Sequence, residues 1–112
     1  MTQKASDVVF LYVTAPDKDV AEKIASTLIA EKLAACVNIH AEMRSIYEWN
    51  GAVAETAERP MIVKTAAAQA DAACRRITAL HPYDEPCVAA LPVLRDGSSA
   101  GFLDWVVNTA TP

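Results

Sequence analysis

Between Leu80 and Cys87 the chain reads LHPYDEPC, which puts an imidazole, a phenol, two carboxylates and a thiol into one short stretch. Such groups ligate metals or move protons, and His81 with Asp84 and Glu85 has the donor types for either task. Pro82 and Pro86 argue equally for a tight connection, since each fixes its own φ and pushes the preceding residue toward extended backbone. His81 follows a helix and precedes this turn, where side chains are often exposed. A histidine there also complements the negative end of the helix dipole. Glu58 and Lys64 are a second suggestive pair, charged groups on an otherwise apolar segment. They read either as a solvated face or salt bridge, or as the lining of a cleft that meets a small anion or metal.

The remaining reactive groups carry less. Cys36, Cys74 and Cys87 are widely spaced, odd in number and without a Cys-x-x-Cys pair, so neither a disulfide framework nor a structural zinc site is expected. They read as free thiols in a reducing compartment. Cys74 on a helix stripe and Cys87 at the start of a strand are expected to serve packing. Cys36 and His40 fall on one face of a strand, but about 13 Å apart, too far to share an ion. There is no Gly-x-Ser-x-Gly elbow and no glycine-rich phosphate loop, Gly51, Gly97 and Gly101 being the only glycines. No nucleophile and base can be paired, so the chain is not expected to be an enzyme.

The elements that must position these groups are legible from period. Val8–Thr14 is a continuous β-branched and apolar run ending at Ala15-Pro16-Asp17, which predicts a central strand. Val20, Ala21, Ile24, Ala25, Leu28 and Ile29 recur at helical spacing, with Asp17 as N-cap and Asp19 complementing the dipole. From Ala35 to Trp49 the period becomes two. Ala35, Val37, Ile39, Ala41, Met43, Ser45, Tyr47 and Trp49 would share one face, and Asn50-Gly51 then closes a hairpin. The returning strand is read at Met61–Thr65, with Pro60 marking an edge position or a bulge. A second helix is expected over residues 66–80, with Arg75 and Arg76 toward its C-terminal end. A fourth strand follows over 88–94, and a closing helix over 102–110. The order β-α-β-β-α-β plus a terminal helix predicts an α+β, ferredoxin-like split βαβ fold with a long hairpin between its second and third strands.

Length and composition set the frame. A chain of 112 residues with 53% hydrophobic residues predicts a single domain, residues 1–112, with residues 1–7 as a flexible terminus. The net charge of −4 argues against nucleic acid and against anionic membrane surfaces as partners. The apolar run at Val8–Val13 is too short for a leader core or a membrane span, and a cytoplasmic location is expected. A strand running unbroken from 35 to 49 would span roughly 50 Å. A compact chain of this length is only about 35 Å across. The hairpin should therefore overhang its core, with Tyr47 and Trp49 apolar and exposed, which predicts an oligomer held partly by this hairpin. Three uses of such an architecture lack their parts: no aromatic strand signature for RNA, no Cys-x-x-Cys for a copper chaperone, no loop arginine for an acylphosphatase.

Taken in order, Thr14-Ala15-Pro16-Asp17, EKLAACVNI (31–39), SIYEWNG (45–51), Glu58 with Lys64-Thr65, HPYDEP (81–86), LPV (91–93) and Trp105 resemble the CutA family of divalent-cation tolerance proteins. The resemblance implies a ferredoxin-like protomer in a tight, PII-like homotrimer, with Tyr47, Trp49 and Trp105 at the subunit interface. It implies a link to tolerance of copper and other divalent cations, by binding or buffering Cu²⁺ or another ion. In some relatives a role in binding protein partners is proposed. Copper ligands described in the family are a cysteine before Thr-Ala-Pro and two histidines before Pro-Tyr. Here those positions hold Val13, Leu80 and His81, so His81 alone matches as a metal ligand, and Cys87 is a conjectural second donor. An alternative is a PII-like signalling or scaffold trimer. Its intersubunit cleft, near Cys36, Glu58, Lys64, Tyr83 and Asp84, would take a small ligand or protein partner, with metal incidental.

Overall fold

The computed structural model describes residues 5–112. Strand β1 (Ala5–Ala15) leads to helix α1 (Lys18–Ala30), then β2 (Cys36–Ile39), β3 (Met43–Trp49) and β4 (Ala52–Ala66). A 3-10 turn (Ala67–Gln69) opens α2 (Ala70–Leu80), followed by β5 (Val88–Leu94) and α3 (Ala100–Thr109). The fold is α+β with antiparallel pairing throughout the described residues, in spatial order β2-β4-β1-β5, β3 also lying on β4. Residues 1–4 of the expected flexible terminus lie outside the described residues. Ala5–Asp7 do not follow that expectation, because β1 already begins at Ala5, which pairs with Leu94 across a register irregularity.

The Val8–Thr14 run is central because β1 pairs on both sides, with β4 and with β5. Its odd residues Leu11, Val13 and Ala15 join Met61 and Val63 of β4 in the main core. Ala21, Ile24 and Leu28 of α1 and Ala73 and Ile77 of α2 close that core from one face. On the opposite face α3 seats Leu103 and Val106 on Val8, with Phe10 and Val93 beside them. Asp17 caps α1 as its position predicts, its Oδ1 accepting the Val20 N–H at 2.9 Å. The same helix ends in a left-handed residue, Lys32 at φ 57°, with Leu33 N–H donating to the Leu28 carbonyl and Lys32 N–H to that of Ile29. This paired arrangement satisfies two terminal carbonyls and turns Leu33 back onto the core. Arg76 points away from its own helix end and forks onto Glu31 at 2.9 Å, tying α2 to the end of α1.

One interruption governs the functional geometry. The long alternating stretch is not a single strand: residues 40–42 leave the ladder between β2 and β3. Ile39 pairs with Met61, whereas Met43 pairs with Glu58, so three residues on one side face Arg59 and Pro60 on the other. This is a bulge of one extra residue, and a one-residue offset turns every later side chain to the opposite face. Before the bulge the even residues Cys36 and Asn38 share a face with Lys64 and Ile62 of β4. After it the odd residues Met43, Ser45, Tyr47 and Trp49 share that face with Glu58 and Thr56. The single odd-numbered face expected from the sequence is thereby corrected. His40, expected on the Cys36 strand face, lies in the bulge itself.

Pro60 fits this break. It is internal to β4, which runs the whole way from Ala52 to Ala66 and not only through 61–65. Its carbonyl accepts the His40 N–H at 2.9 Å. A strand residue directs its nitrogen and its carbonyl to the same side, so the donor that proline lacks would have faced the bulge, where no ladder partner stands. Beyond the bulge, Asn50 and Gly51 both adopt positive φ (52° and 80°) in the tight hairpin turn. The hairpin end is exposed, Trp49 retaining 65% of its surface and Val53 81%. The molecule is 44 Å in its longest dimension, shorter than an unbroken strand alone would require.

Candidate functional site

The HPYDEP stretch is both a turn and a wall. Pro82 forces His81 into extended backbone (ψ 137°), which ends α2 after a last helical bond from His81 N–H to the Ile77 carbonyl at 2.9 Å. The ring then swings inward, and His81 is 7% exposed, not the exposed turn residue expected. Its Nδ1 accepts the Tyr83 N–H at 3.2 Å, which leaves the proton on Nε2 to be donated to the Thr14 carbonyl at 2.8 Å. The Tyr83 ring packs on the imidazole with centroids 4.7 Å apart. His81 thus pins the start of the turn to the end of β1 and aims Tyr83 outward.

A cavity of about 570 Å³ lies beside this turn. The turn and its exit contribute Pro82, Tyr83, Asp84, Glu85 and Cys87; β4 contributes Thr56 and Glu58. Tyr47 and Trp49 come from β3, and Thr14 from the end of β1. The two β3 rings reach it only because the bulge has turned them to the Glu58 face. Glu58 is 9% exposed, and its carboxylate, without a hydrogen-bond or ion-pair partner among the described residues, keeps its oxygens accessible from the cavity. Burial holds the Tyr83 phenol above its ordinary pKa, and the negative charge of Glu58, then Tyr47 and Asp17, adds to the shift.

The residues assigned to a cleft from sequence are therefore divided. Glu58, Tyr83 and Asp84 meet, joined by Tyr47 and Trp49, the two residues that the family resemblance places at a subunit interface. Cys36 and Lys64 do not belong to this cavity. They pair with each other across β2 and β4, and Lys64 lies six positions from Glu58, about 20 Å along the strand. The Lys64 ammonium sits 5.5 Å from the centroids of both Phe10 and Phe102, a cation–π sandwich that explains why a lysine is accommodated on an apolar strand. Trp105 stands on α3, half exposed beside Phe102. Cys74 is half-buried as its helix stripe suggests, but Cys87 is exposed and lines the cavity instead of packing. Glu85 joins the cavity as the donor types of its turn suggest, whereas Thr56 was not singled out from sequence and Thr14 only as part of a motif. The alternation in AVAETAE (52–58) carried the signal for Thr56, had β4 been extended past Pro60.

The residues present do not fit a copper centre of the kind the family resemblance implies. Val13 is fully buried in the main core and Leu80 packs against it, so neither position offers a donor atom. Both nitrogens of His81 are committed to hydrogen bonds, leaving no free lone pair for a metal. No group of three or more His, Cys, Asp or Glu among the described residues is placed to hold an ion.

Comparison with known proteins sets this geometry in a lineage. Residues 9–109 match the family described as CutA1 divalent ion tolerance protein. The chain is 40% identical over 100 residues to a divalent-cation tolerance protein CutA of Archaeoglobus fulgidus, covering 89% of this chain and 95% of the relative. It is 41% identical over 101 residues to a chloroplastic CutA 1 protein of rice, covering 90% of this chain. It spans only 56% of that plant relative's length. The fold superposes on the crystal structure of a stable CutA1 from a psychrotrophic Shewanella with a TM-score of 0.89 at 31% identity, covering 97% of this chain and 99% of the other. A periplasmic CutA structure from Archaeoglobus fulgidus gives 0.86 at 38% identity, covering 93% and 99%. With the bulged hairpin, the pinned HPYDEP turn and matches over nearly the whole described chain, the protein belongs to the CutA1 divalent ion tolerance family.

Proposed function

We propose that this chain is a ferredoxin-like protomer of a PII-like homotrimer and acts as a binding protein, not an enzyme, taking a small ligand into the cavity beside the HPYDEP turn. The observation that carries the reading is the convergence of Glu58, Tyr83 and Asp84 with the bulge-inverted rings of Tyr47 and Trp49. A volume of about 570 Å³ is in the range that small-molecule sites occupy. Trimer formation is supported by the apolar face left on the sheet and α3, where Trp49, Leu91 and Trp105 are each about half exposed or more. Divalent-cation tolerance, the property in the relatives' names, would then follow from ligand or partner binding. The committed nitrogens of His81 favour this over direct buffering of copper. A reducing, cytoplasmic setting is supported by three free thiols, Cys36, Cys74 and Cys87.

Two measurements test the reading. Sedimentation should give a mass three times the 12.0 kDa of one chain; a stable monomer removes the trimer. Thermal-shift screening of a small-molecule library should find ligands whose effect is lost in Glu58→Gln or Trp49→Ala. A library whose every hit survives both substitutions removes the cavity as the site.

A further inference from the structure

We propose that the ligand taken by this cavity is an organic cation, one carrying an ammonium or guanidinium group on an apolar body; the inference rests on the cavity being a ligand site. Three independent features of the lining agree. Its charged groups are the carboxylates of Glu58, Asp84 and Glu85, with no lysine, arginine or histidine among the lining residues. Glu58 is nine-tenths buried as a residue, yet its carboxylate has no partner among the described residues and its oxygens stay accessible from the cavity, where an entering cation can pair with them. Tyr47, Trp49 and Tyr83 bring three aromatic rings to the same space, and the face of such a ring attracts a desolvated cation, tryptophan most strongly.

Each alternative ligand class leaves something unsatisfied. An anion would meet three carboxylates at short range. A neutral molecule would fill the volume but leave Glu58 unpaired. A bare divalent ion needs several donors around one point, and the described residues place no such set. An organic cation instead forms a charge-assisted hydrogen bond with Glu58 and offers its body to the rings. The cavity is also large enough, at about 570 Å³, for a body well beyond a single ammonium group.

Benzylammonium, benzyl alcohol and benzoate share one shape and differ in charge, so titrating the full-length wild-type protein with each by calorimetry isolates the charge term. Benzylammonium is expected to bind about tenfold or more tightly than the other two, and Glu58→Gln should weaken it by about tenfold. Trp49→Ala should weaken it several-fold, measured on the fraction that still sediments as the wild-type assembly, because Trp49 also stands on the face proposed for trimer formation. Equal or tighter binding of benzoate or benzyl alcohol, lost in Trp49→Ala, would overturn the cation assignment yet keep the cavity as a ligand site. Absence of binding by all three up to ~10 mM would overturn both. If Glu58→Gln leaves benzylammonium unaffected but dissociates the assembly, a lysine or arginine of a second copy fills the site, and the proposal fails.

Discussion

The imidazole of His81 donates from Nε2 to the Thr14 carbonyl at 2.8 Å, joining the end of α2 to the end of β1 across 67 positions of sequence. The same ring receives the Tyr83 N–H, so one buried side chain sets both the exit of the helix and the orientation of the cavity's phenol. What looks in the sequence like a metal ligand is thereby a structural rivet.

Replacing His81 by alanine should reduce stability by roughly 2 kcal/mol, because the Thr14 carbonyl and Tyr83 N–H both lose their partner. Denaturant unfolding of wild type and variant measures this. Competition titration against a chelator should find Cu²⁺ affinity unchanged between the two proteins. A several-fold loss of copper affinity in His81→Ala would instead make the ring a ligand and contradict its hydrogen bonding.

Tyr83 should ionise at higher pH than a free phenol, because burial and then Glu58 oppose its negative form. The sign of the linked effect follows. With the native value raised, the unfolded chain releases this proton first as pH climbs past the ordinary phenol range. The contribution of Tyr83 to stability is therefore complete below that range and is lost as pH rises through the native value. Relative to Tyr83→Phe, wild type should lose stability only in that alkaline window. Ultraviolet difference titration of the phenolate and melts at matched pH check it; identical pH profiles for the two proteins would contradict it.

Deleting Ala41 removes the extra residue of the bulge and leaves His40 and Glu42 opposite Pro60 and Arg59, so Ile39 keeps Met61 and Met43 keeps Glu58 as partners. Tyr47 and Trp49 should therefore stay on the Glu58 face, because each keeps its place opposite β4. Trp49 emission and small-ligand binding should match those of wild type. Loss of both would mean that the bulge does more than reconcile the two registers.

Much of this fold is written locally. Six apolar positions at helical spacing behind Asp17 were enough for α1 and its cap. Asn50-Gly51 announced a turn whose two residues indeed take positive φ. Pro82 marked where α2 must stop. These features depend on neighbours within a few positions, so short-range periodicity and backbone preference carry them. Ordered motifs added the family, now matched over residues 9–109.

The tertiary structure decided the rest, chiefly which face each side chain takes. The alternation from Ala35 to Trp49 reads as one strand because the bulge at 40–42 changes no residue type. It exists only in the pairing with β4, where Pro60 has no N–H to give. The burial of His81 likewise depends on a carbonyl far away in sequence, and the setting of the Lys64 ammonium depends on Phe10 and Phe102 arriving from two other elements. Element types are local properties of the chain, and its sequence determined them; register, burial and the company a charged group keeps are set between distant segments, and only packing could decide them.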